Sequence, residues 1–302
     1  MEFTAKDVQA LREKTGCGMM DCKKALVESD GDMDRAIDYL RERGLAAAAK
    51  KSGRIAAEGV VLSYADDAVS AIVEVNSETD FVAKNDEFKT FVVSVAKTVA
   101  LNNPATVEEL NELTLADSTD TVAEALREKI LKIGENIKIR RFERYEGTVA
   151  TYIHGGGRIG VMVKSQTAPE IAGNETFKEA VRDVAMQVAA THPLYLKSAD
   201  VPAEVLEHEK KILTEQVINE GKPAAIAEKI VAGKISKYYK ENCLLEQDFV
   251  KNGDFTVGKY LDSVASSLGG KVELVSFVRF EKGEGLQKRE DNFADEVASM
   301  IK

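Results

Sequence analysis

Residues 59–75 read GVVLSYADDAVSAIVEV, and residues 147–163 read GTVATYIHGGGRIGVMV. The two stretches align without a gap at an offset of 88 residues, and each shows the alternation of apolar residues that is typical of strands. At an offset of 89 the match continues into the next segment, with the pairs Asn85/Asn174, Phe88/Phe177, Lys89/Lys178, Val92/Val181, Val95/Val184, Ala96/Ala185, Val99/Val188 and Pro104/Pro193. The chain therefore contains an internal duplication, which predicts its core.

Each copy predicts the same order of elements. A two-stranded hairpin comes first, and an amphipathic helix with Phe88 and Val92 on its apolar face follows it. A second helix over residues 121–133 ends at Gly134, because glycine favours the left-handed conformation that closes a helix. A third strand over residues 137–145 completes the unit. We predict an α+β fold with two duplicated subdomains, each a small sheet covered by helices.

The second copy carries an insertion. Beyond it the match resumes at an offset that has grown from 89 to 135, so the insertion adds 46 residues. Apolar stripes over 205–217 and 226–238 flank the turn residues 219–223. This pattern predicts an antiparallel helical hairpin with a thin core, which is the kind of element that meets another protein or a second copy of the same chain.

The residues before the repeat predict a separate module of three short helices. Thr4 and Asp7 form a capping box for the first helix, and Asp30-Gly31-Asp32 turns the chain into the third. We expect that third helix to close at Gly44 and an alanine- and lysine-rich tether over residues 46–54 to follow it.

The chain's last segment predicts a terminal helix. After a glycine-rich turn at 283–285, Phe293 and Val297 lie on the apolar face of this helix, which must dock on another surface to be stable. Together these segments predict the domain boundaries. The predicted units are 1–54 for the three-helix module with its linker, 55–146 for the first core subdomain, 147–193 with 246–282 for the second, 194–245 for the inserted hairpin and 283–302 for a C-terminal helical module.

Composition narrows the class of protein. The chain has 302 residues, 44% of them hydrophobic and 30% charged, which is typical of globular proteins with two or more cores. Its apolar runs are far too short for a bilayer span, and its N-terminus lacks the apolar centre of a signal peptide, so we expect a cytoplasmic protein that does not enter membranes. The net charge of −10 disfavours direct binding of nucleic acid.

The sequence predicts neither a metal site nor a cofactor. Cys17, Cys22 and Cys243 lack paired ligand spacing, and only three histidines could join them. We therefore expect free thiols that are buried or half-buried.

Phe81 is a large aromatic residue in an acidic connector, and it either folds into the core or is held out for a partner. Fully burying its ring would stabilise the fold by roughly 1.5–3 kcal/mol, which favours the core. The repeat argues the other way, because at an offset of 89 the same position in the second copy is Glu170. We therefore predict that Phe81 faces solvent.

Two other motifs have competing interpretations. Gly155-x-Gly157-x-x-Gly160 formally matches a dinucleotide fingerprint, but the repeat places it in a hairpin turn instead of at the start of a helix. No set of acid, base and nucleophile converges elsewhere, so we expect no catalytic residues. The pair Met19-Met20 is typical of the core of a small bundle, and the alternative is a soft, adaptable contact surface.

Several motifs in order along nearly the whole chain resemble the elongation factor Ts family of bacterial translation factors. They are Leu11–Gly16, Gly18–Leu26, Thr79–Lys84, Lys132–Ile137, and His154-Gly155 with Arg158–Val161. The resemblance implies a ubiquitin-associated-like three-helix module, a duplicated core, a helical hairpin used in dimerisation and a C-terminal module.

The resemblance also implies a function and its residues. A member of this family is the guanine-nucleotide exchange factor of elongation factor Tu. By resemblance, Thr79, Asp80, Phe81 and Val82 help to dislodge magnesium from the partner's nucleotide site, with Asp80 and Phe81 as the intruding pair. Contacts with the partner are further implied for the N-terminal module, the C-terminal helix and the core, at Met19, Met20, Lys23, His154 and Gly155.

Two rival functions remain open from sequence. The first is an enzyme that binds a nucleotide at the glycine turn, and the second is a passive scaffold that binds proteins without accelerating nucleotide release. Whether the hairpin forms a homodimer is also open.

Overall fold

A computed structural model describes residues 3–15, 17–221 and 223–287. The chain begins with three helices that enclose a small core containing Leu11, Cys22 and Leu26, all fully buried. These helices are α1 (Ala5–Thr15), α2 (Met19–Glu28) and α3 (Met33–Lys51). The predicted capping box is present, since the Thr4 amide donates to Asp7 Oδ2 at 2.7 Å.

The prediction that the third helix closes at Gly44 is wrong. Helix α3 continues through that glycine to Lys51, because the following alanines and lysines are strong helix formers. Gly44 is buried, and a Cβ on it would lie 3.6 Å from the carbonyl oxygen of Arg127. Gly44 therefore lies inside the helix, on the side that faces Arg127 of α7, and most of the predicted tether is helix.

The first copy of the repeat forms a three-stranded antiparallel sheet in the order β1-β2-β3, with helices covering one face. The second helix ends at Gly134 with φ of 85°, as predicted. The elements are β1 (Glu58–Ala65), β2 (Val69–Ser77), α4 (Asp80–Lys84), α5 (Asp86–Asn102), α6 (Val107–Glu112), α7 (Val122–Ile133) and β3 (Lys138–Glu146).

The second copy repeats this topology in a sheet of order β4-β5-β8 and contains the predicted helical insertion. Val217, Ala227 and Val231 form the small core between the two inserted helices. The elements are β4 (Val149–His154), β5 (Ile159–Thr167), α8 (Pro169–Ala172), α9 (Glu175–Thr191), α10 (Ala203–Asn219), α11 (Ala224–Asn242), β6 (Asp248–Phe249), β7 (Asn252–Thr256), α12 (Val257–Ser267) and β8 (Val272–Glu281).

Strand pairing corrects the gapless alignment of the two hairpins. Tyr64 and Tyr152 face equivalent cores at the predicted offset of 88. The register irregularity after Glu74 in β2, however, recurs after Lys164 in β5, an offset of 90. The second hairpin turn is therefore two residues longer. Alternation has a period of two, so a two-residue slip leaves the apolar pattern unchanged and escapes sequence comparison.

The two sheets pack face to face through a shared apolar cluster of Val61, Ile72, Met162 and Phe280. Gly160 lies in this interface, where a Cβ would come within 2.6 Å of Ile72 Cδ1. The two copies are thus held against each other by their sheets, and each carries its helices on the outer side.

Beyond Glu281 the described chain ends in a turn, and the predicted terminal helix with Phe293 and Val297 lies outside the described residues. The domain boundaries stay predictions. Every helix in the described part of the chain is too short or too polar to cross a bilayer.

Candidate functional site

Phe81 projects from the short helix α4 with 80% of its surface exposed, as the repeat predicts. Its neighbours Val82 and Ala83 are buried in the first core. The helix has only five residues, too few for stability on its own, so tertiary contacts must hold it. Val82 therefore anchors α4, and Asp80 and Phe81 are the side chains that it presents.

A carboxylate just after the end of α7 holds the N-terminal end of α4. Glu135 Oε2 accepts hydrogen bonds from the amides of Glu78 and Thr79, at 3.1 and 3.0 Å. The Thr79 hydroxyl donates to Glu135 Oε1 at 2.6 Å. Thr79 occupies the N-cap position, but its side chain makes no capping hydrogen bond to its own helix and donates to Glu135 instead. We call these three hydrogen bonds the Glu135 clamp.

A second set of bonds ties the clamp to the connector from the three-helix module. Glu78 Oε1 accepts from the Asn136 amide at 2.6 Å and pairs with Arg54 Nη1 at 3.4 Å. Asn136 Nδ2 donates to the Arg54 carbonyl at 2.8 Å. The start of α4 is therefore fixed at the point where α7, the first sheet and the module's connector meet.

Asp80 is held by Lys84 one turn further along α4. Lys84 Nζ donates to Asp80 Oδ2 at 2.6 Å, and this hydrogen bond holds the pKa of the Asp80 carboxyl below its usual value. The same ammonium lies 5.9 Å from the centre of the Phe81 ring. Asp80 is thus a half-exposed carboxylate whose present partner is an exposed lysine.

The glycine turn joins β4 to β5, as the repeat predicts, and opens no helix. Gly155, Gly156 and Gly157 all have positive φ. Gly157 lies against β1, where a Cβ would come within 2.9 Å of Val60 Cβ, and its carbonyl accepts from the Val61 amide. The turn is therefore packed on the first sheet instead of arranged as a phosphate cradle.

His154 stands at the edge of this turn and is exposed. Its Nδ1 lies 3.0 Å from the Tyr152 hydroxyl. Nearby, the Lys282 amide donates to the Arg158 carbonyl, and the Lys282 ammonium pairs with Glu58 and adds to the positive field on Asp80. Lys282 thus connects the glycine turn with the neighbourhood of α4.

The methionine pair lies on the surface of the three-helix module, so the prediction that it forms core is wrong. Met19 is 55% exposed and Met20 is 74% exposed, while Cys22, Ala25 and Leu26 supply the buried face of α2. The exposed side of α2 combines these methionines with Lys23, Lys24 and Val27. Helix α2 packs into the core of the three-helix module, whereas α4 packs into the core of the first repeat, so the exposed side of α2 is a surface separate from α4.

The two copies of the repeat differ most at α4. The N-caps Asn85 and Asn174 keep the offset of 89, which places exposed Glu170 opposite Phe81. In the second copy the position of Glu135 is Gly270, where a Cβ would come within 2.2 Å of Ile171 Cδ1. The clamp and the protruding ring therefore occur together, in the first copy only.

Sequence reasoning missed Glu135, Glu78 and Glu74. Fully buried Glu74 accepts from Arg140 Nη1 at 3.0 Å and Arg141 Nε at 2.6 Å, and it binds the described C-terminal turn through the Gly283 amide. The comparison of the copies gave no usable signal, because its offset of 88 sets Glu74 opposite Met162, and only the strand pairing sets it opposite Lys164. The three cysteines have free thiols and are buried, as the sequence predicts. Among the described residues no cluster of three histidine, cysteine or acidic side chains could hold a metal ion.

The family model and the similar proteins that match this chain all carry the same family name. The family model for elongation factor TS matches residues 78–284. Proteins named elongation factor Ts from Clostridium kluyveri and Clostridium perfringens are each 54% identical to this chain, over 305 and 303 residues, and the alignments cover 99% of both chains. A protein of the same name from Clostridium botulinum is 51% identical over 305 residues, covering 99% of this chain and 98% of its own.

Proposed function

The chain belongs to the elongation factor Ts family of translation factors, and on that premise we propose that it binds elongation factor Tu and accelerates the release of GDP from it. GTP can then reload the emptied site. The proposal rests on one observation above all, the exposed Phe81 on a helix held by the Glu135 clamp.

Exchange of this kind needs no contact with GDP. A protein that prefers the nucleotide-free form of its partner weakens nucleotide binding by the same factor by which the nucleotide weakens the protein complex. An aromatic ring of roughly 150–250 Å² supplies enough surface to act as a wedge between elements of the partner. Phe81 is the described ring best placed for this role, since most of its surface is free and its backbone is anchored.

We assign Asp80 to the partner's magnesium network. A bound magnesium ion is a dominant charge partner for nucleotide phosphates, so its displacement weakens GDP binding. The Asp80 carboxylate is ionised, since hydrogen bonding to Lys84 lowers its pKa, and it sits directly before the wedge. In the complex Asp80 exchanges Lys84 for polar groups around the metal, and Thr79 and Val82 support this motion from the clamp and the core.

Two further surfaces complete the proposed contact. The exposed side of α2, with Met19, Met20 and Lys23, offers flexible apolar contacts and positive charge. This suits a partner-binding role for the three-helix module, for which we propose a ubiquitin-associated-like fold. The glycine turn contributes His154 and Gly155 on the second copy. Both surfaces dock the factor on elongation factor Tu, while α4 carries out the displacement.

We propose that the protein has no catalytic chemistry, cofactor or resident metal of its own and that it works in the cytoplasm without binding nucleic acid directly. The rival enzyme would use the glycine turn for a nucleotide. Equilibrium binding of NAD or GTP to the isolated protein separates the two, because an exchange factor of this type binds neither tightly.

The helical hairpin is proposed to pair with a second copy. Ile218 and Ile226 flank its turn and are 54% and 51% exposed, while its own core is small. A mass from light scattering tests this proposal: a dimer that dissociates when both isoleucines are replaced by serine supports it, and a monomer at all concentrations contradicts it.

The exchange proposal is tested by stopped-flow release of a fluorescent GDP analogue from elongation factor Tu, with the factor in excess. Release should accelerate with factor concentration and reach a plateau, and Phe81→Ala should lower that plateau. Complex formation without faster release would instead support the passive scaffold. Unchanged acceleration by Phe81→Ala would remove this ring from the mechanism.

A further inference from the structure

We infer that Glu135 is a positioning residue for nucleotide exchange: its carboxylate fixes the start of α4 and thereby the direction in which Phe81 is presented. The inference rests on the proposed function, because it assigns Glu135 a part in the step that Phe81 performs. Glu135 itself is half-buried against Glu78 and Thr79 and is not required to touch the partner.

The bonds of the clamp are of the strong kind. A carboxylate that accepts from two amides and a hydroxyl makes charge-assisted hydrogen bonds, which are stronger than neutral ones. The hydroxyl bond is short, at 2.6 Å, and the two amide bonds have ordinary lengths of 3.1 and 3.0 Å. All three donors belong to Glu78 and Thr79, the two residues directly before α4. The clamp therefore restrains the backbone at this end of the helix, while Val82 and Ala83 restrain the other face by burial.

The clamp is needed because α4 cannot define its own direction. The helix has five residues and its N-cap makes no capping hydrogen bond from a side chain. Without Glu135, the two amides directly before α4 lose their acceptor. What then holds Phe81 is the burial of Val82 and Ala83, the hydrogen bond of the Ser77 hydroxyl to the Thr79 carbonyl, and the more distant bonds of the Glu78 carboxylate. A ring that must enter a partner at a set angle loses productive encounters when its helix can pivot.

The second copy supplies an internal comparison. Strand β5 ends at Thr167 and the N-cap Ala168 follows at once, whereas Glu78 stands between the end of β2 and Thr79. The extra residue supplies one of the two clamped amides. Where the copy has no protruding ring it also lacks the clamp, since Ile171 fills the space that a side chain at Gly270 would need. Clamp and ring are thus parts of one device.

The test is the stopped-flow release assay with excess factor, applied to Glu135→Ala. We expect the plateau rate to fall at least about tenfold. A tenfold change corresponds to about 1.4 kcal/mol, which is slightly less than one hydrogen bond to a charged acceptor usually contributes. The concentration at half-plateau should stay the same, because the docking surfaces are untouched. A merely structural role would reduce the folded fraction, which raises the half-plateau concentration and leaves the plateau unchanged.

Glu124→Ala is the matched control. Its carboxylate also accepts from a threonine amide and hydroxyl, those of Thr121, at 2.9 and 3.0 Å, but it caps α7 instead of α4. This variant should keep the wild-type plateau. Amide hydrogen exchange gives a readout independent of activity: Glu78 and Thr79 should exchange at least about tenfold faster in Glu135→Ala and not in Glu124→Ala.

The double variant Glu135→Ala/Phe81→Ala identifies the route. If Glu135 acts through Phe81, the double variant has the plateau of Phe81→Ala alone. A wild-type plateau in Glu135→Ala, or a further tenfold loss in the double variant, overturns the positioning role. A wild-type plateau in Phe81→Ala overturns instead the assignment of the ring in the proposed function, so the two failures are distinguishable.

Discussion

Replacing Phe81 and Phe88 by alanine, one at a time, should separate the two fates of a phenylalanine in this fold. The residues are seven positions apart in the same subdomain, but Phe81 is 80% exposed and Phe88 is fully buried. Loss of the Phe81 ring removes only about a fifth of a burial worth roughly 1.5–3 kcal/mol, so about 0.3–0.6 kcal/mol. Its exposed contact with Lys84 adds about 0.5 kcal/mol more.

Phe88→Ala should cost far more. Its ring lies in the centre of the first core, where truncation removes the transfer free energy and leaves a cavity, for a total of about 3–5 kcal/mol. The expected gap between the two variants is therefore at least about 2 kcal/mol. Such a gap would show that the Phe88 ring stabilises the fold, whereas the Phe81 ring contributes little to stability and faces solvent.

Urea unfolding, followed by the helical circular dichroism signal, measures both variants against the wild type. Phe81→Ala should shift the midpoint only slightly with an unchanged slope, and Phe88→Ala should lower it clearly. A loss of more than about 2 kcal/mol in Phe81→Ala would refute the reasoning, since it would mean that the ring is packed in solution.

Four other changes test the fold at separate points. Gly160→Ala should cost about 1–3 kcal/mol in thermal unfolding, because its Cβ would collide with both sheets. Gly233→Ala in helix α11, where an added Cβ would meet no other described residue within 4 Å beyond the helix's own backbone, should instead stabilise the hairpin by about 1 kcal/mol in the same assay. Glu74→Ala should destabilise by about 3 kcal/mol in urea, because it leaves two arginines without their buried carboxylate. Burial raises the pKa of Cys243 from 9.0 to about 11. The neutral thiol therefore contributes in full to the free energy of unfolding below about pH 9, and this contribution is lost as pH rises towards 11. The free energy of unfolding should therefore fall less steeply over this range in Cys243→Ala than in the wild type, and equal slopes would contradict the assignment.

Much of the core could be predicted because the duplication gives two independent examples of each apolar pattern. The strands, the long helices and the glycine at the end of α7 follow from periodicity and capping chemistry, which are local. The exposure of Phe81 was predictable only from the second copy, since burial of a single phenylalanine is otherwise the better expectation. Comparison of equivalent positions carried information that propensity lacks.

The errors have physical causes that no local pattern reports. A two-residue slip in a hairpin preserves the alternation of faces, so the longer glycine turn was invisible. Gly44 has the residue type of a helix end, but the alanines and lysines after it continue the helix to Lys51. Met19 and Met20 have core composition, yet the inner face of their helix is already supplied by other residues.

The supporting residues of the site were harder still to predict. Glu135 meets Thr79 across 56 residues of sequence, and Glu74 meets Arg141 across 67. Charged residues are usually solvated, so a glutamate that acts as a clamp or as a buried partner looks like any surface carboxylate until the fold is known. The ring was predictable from sequence, whereas the side chains that hold it were not.

The most direct measurement of the central claim is the plateau rate of GDP release from elongation factor Tu with Phe81→Ala, compared with Glu170→Ala at the equivalent position of the second copy. We predict a plateau at least about tenfold lower for Phe81→Ala, which corresponds to about 1.4 kcal/mol of lost coupling, and an unchanged plateau for Glu170→Ala. Equal plateaus for wild type and Phe81→Ala would rule out the wedge role of Phe81.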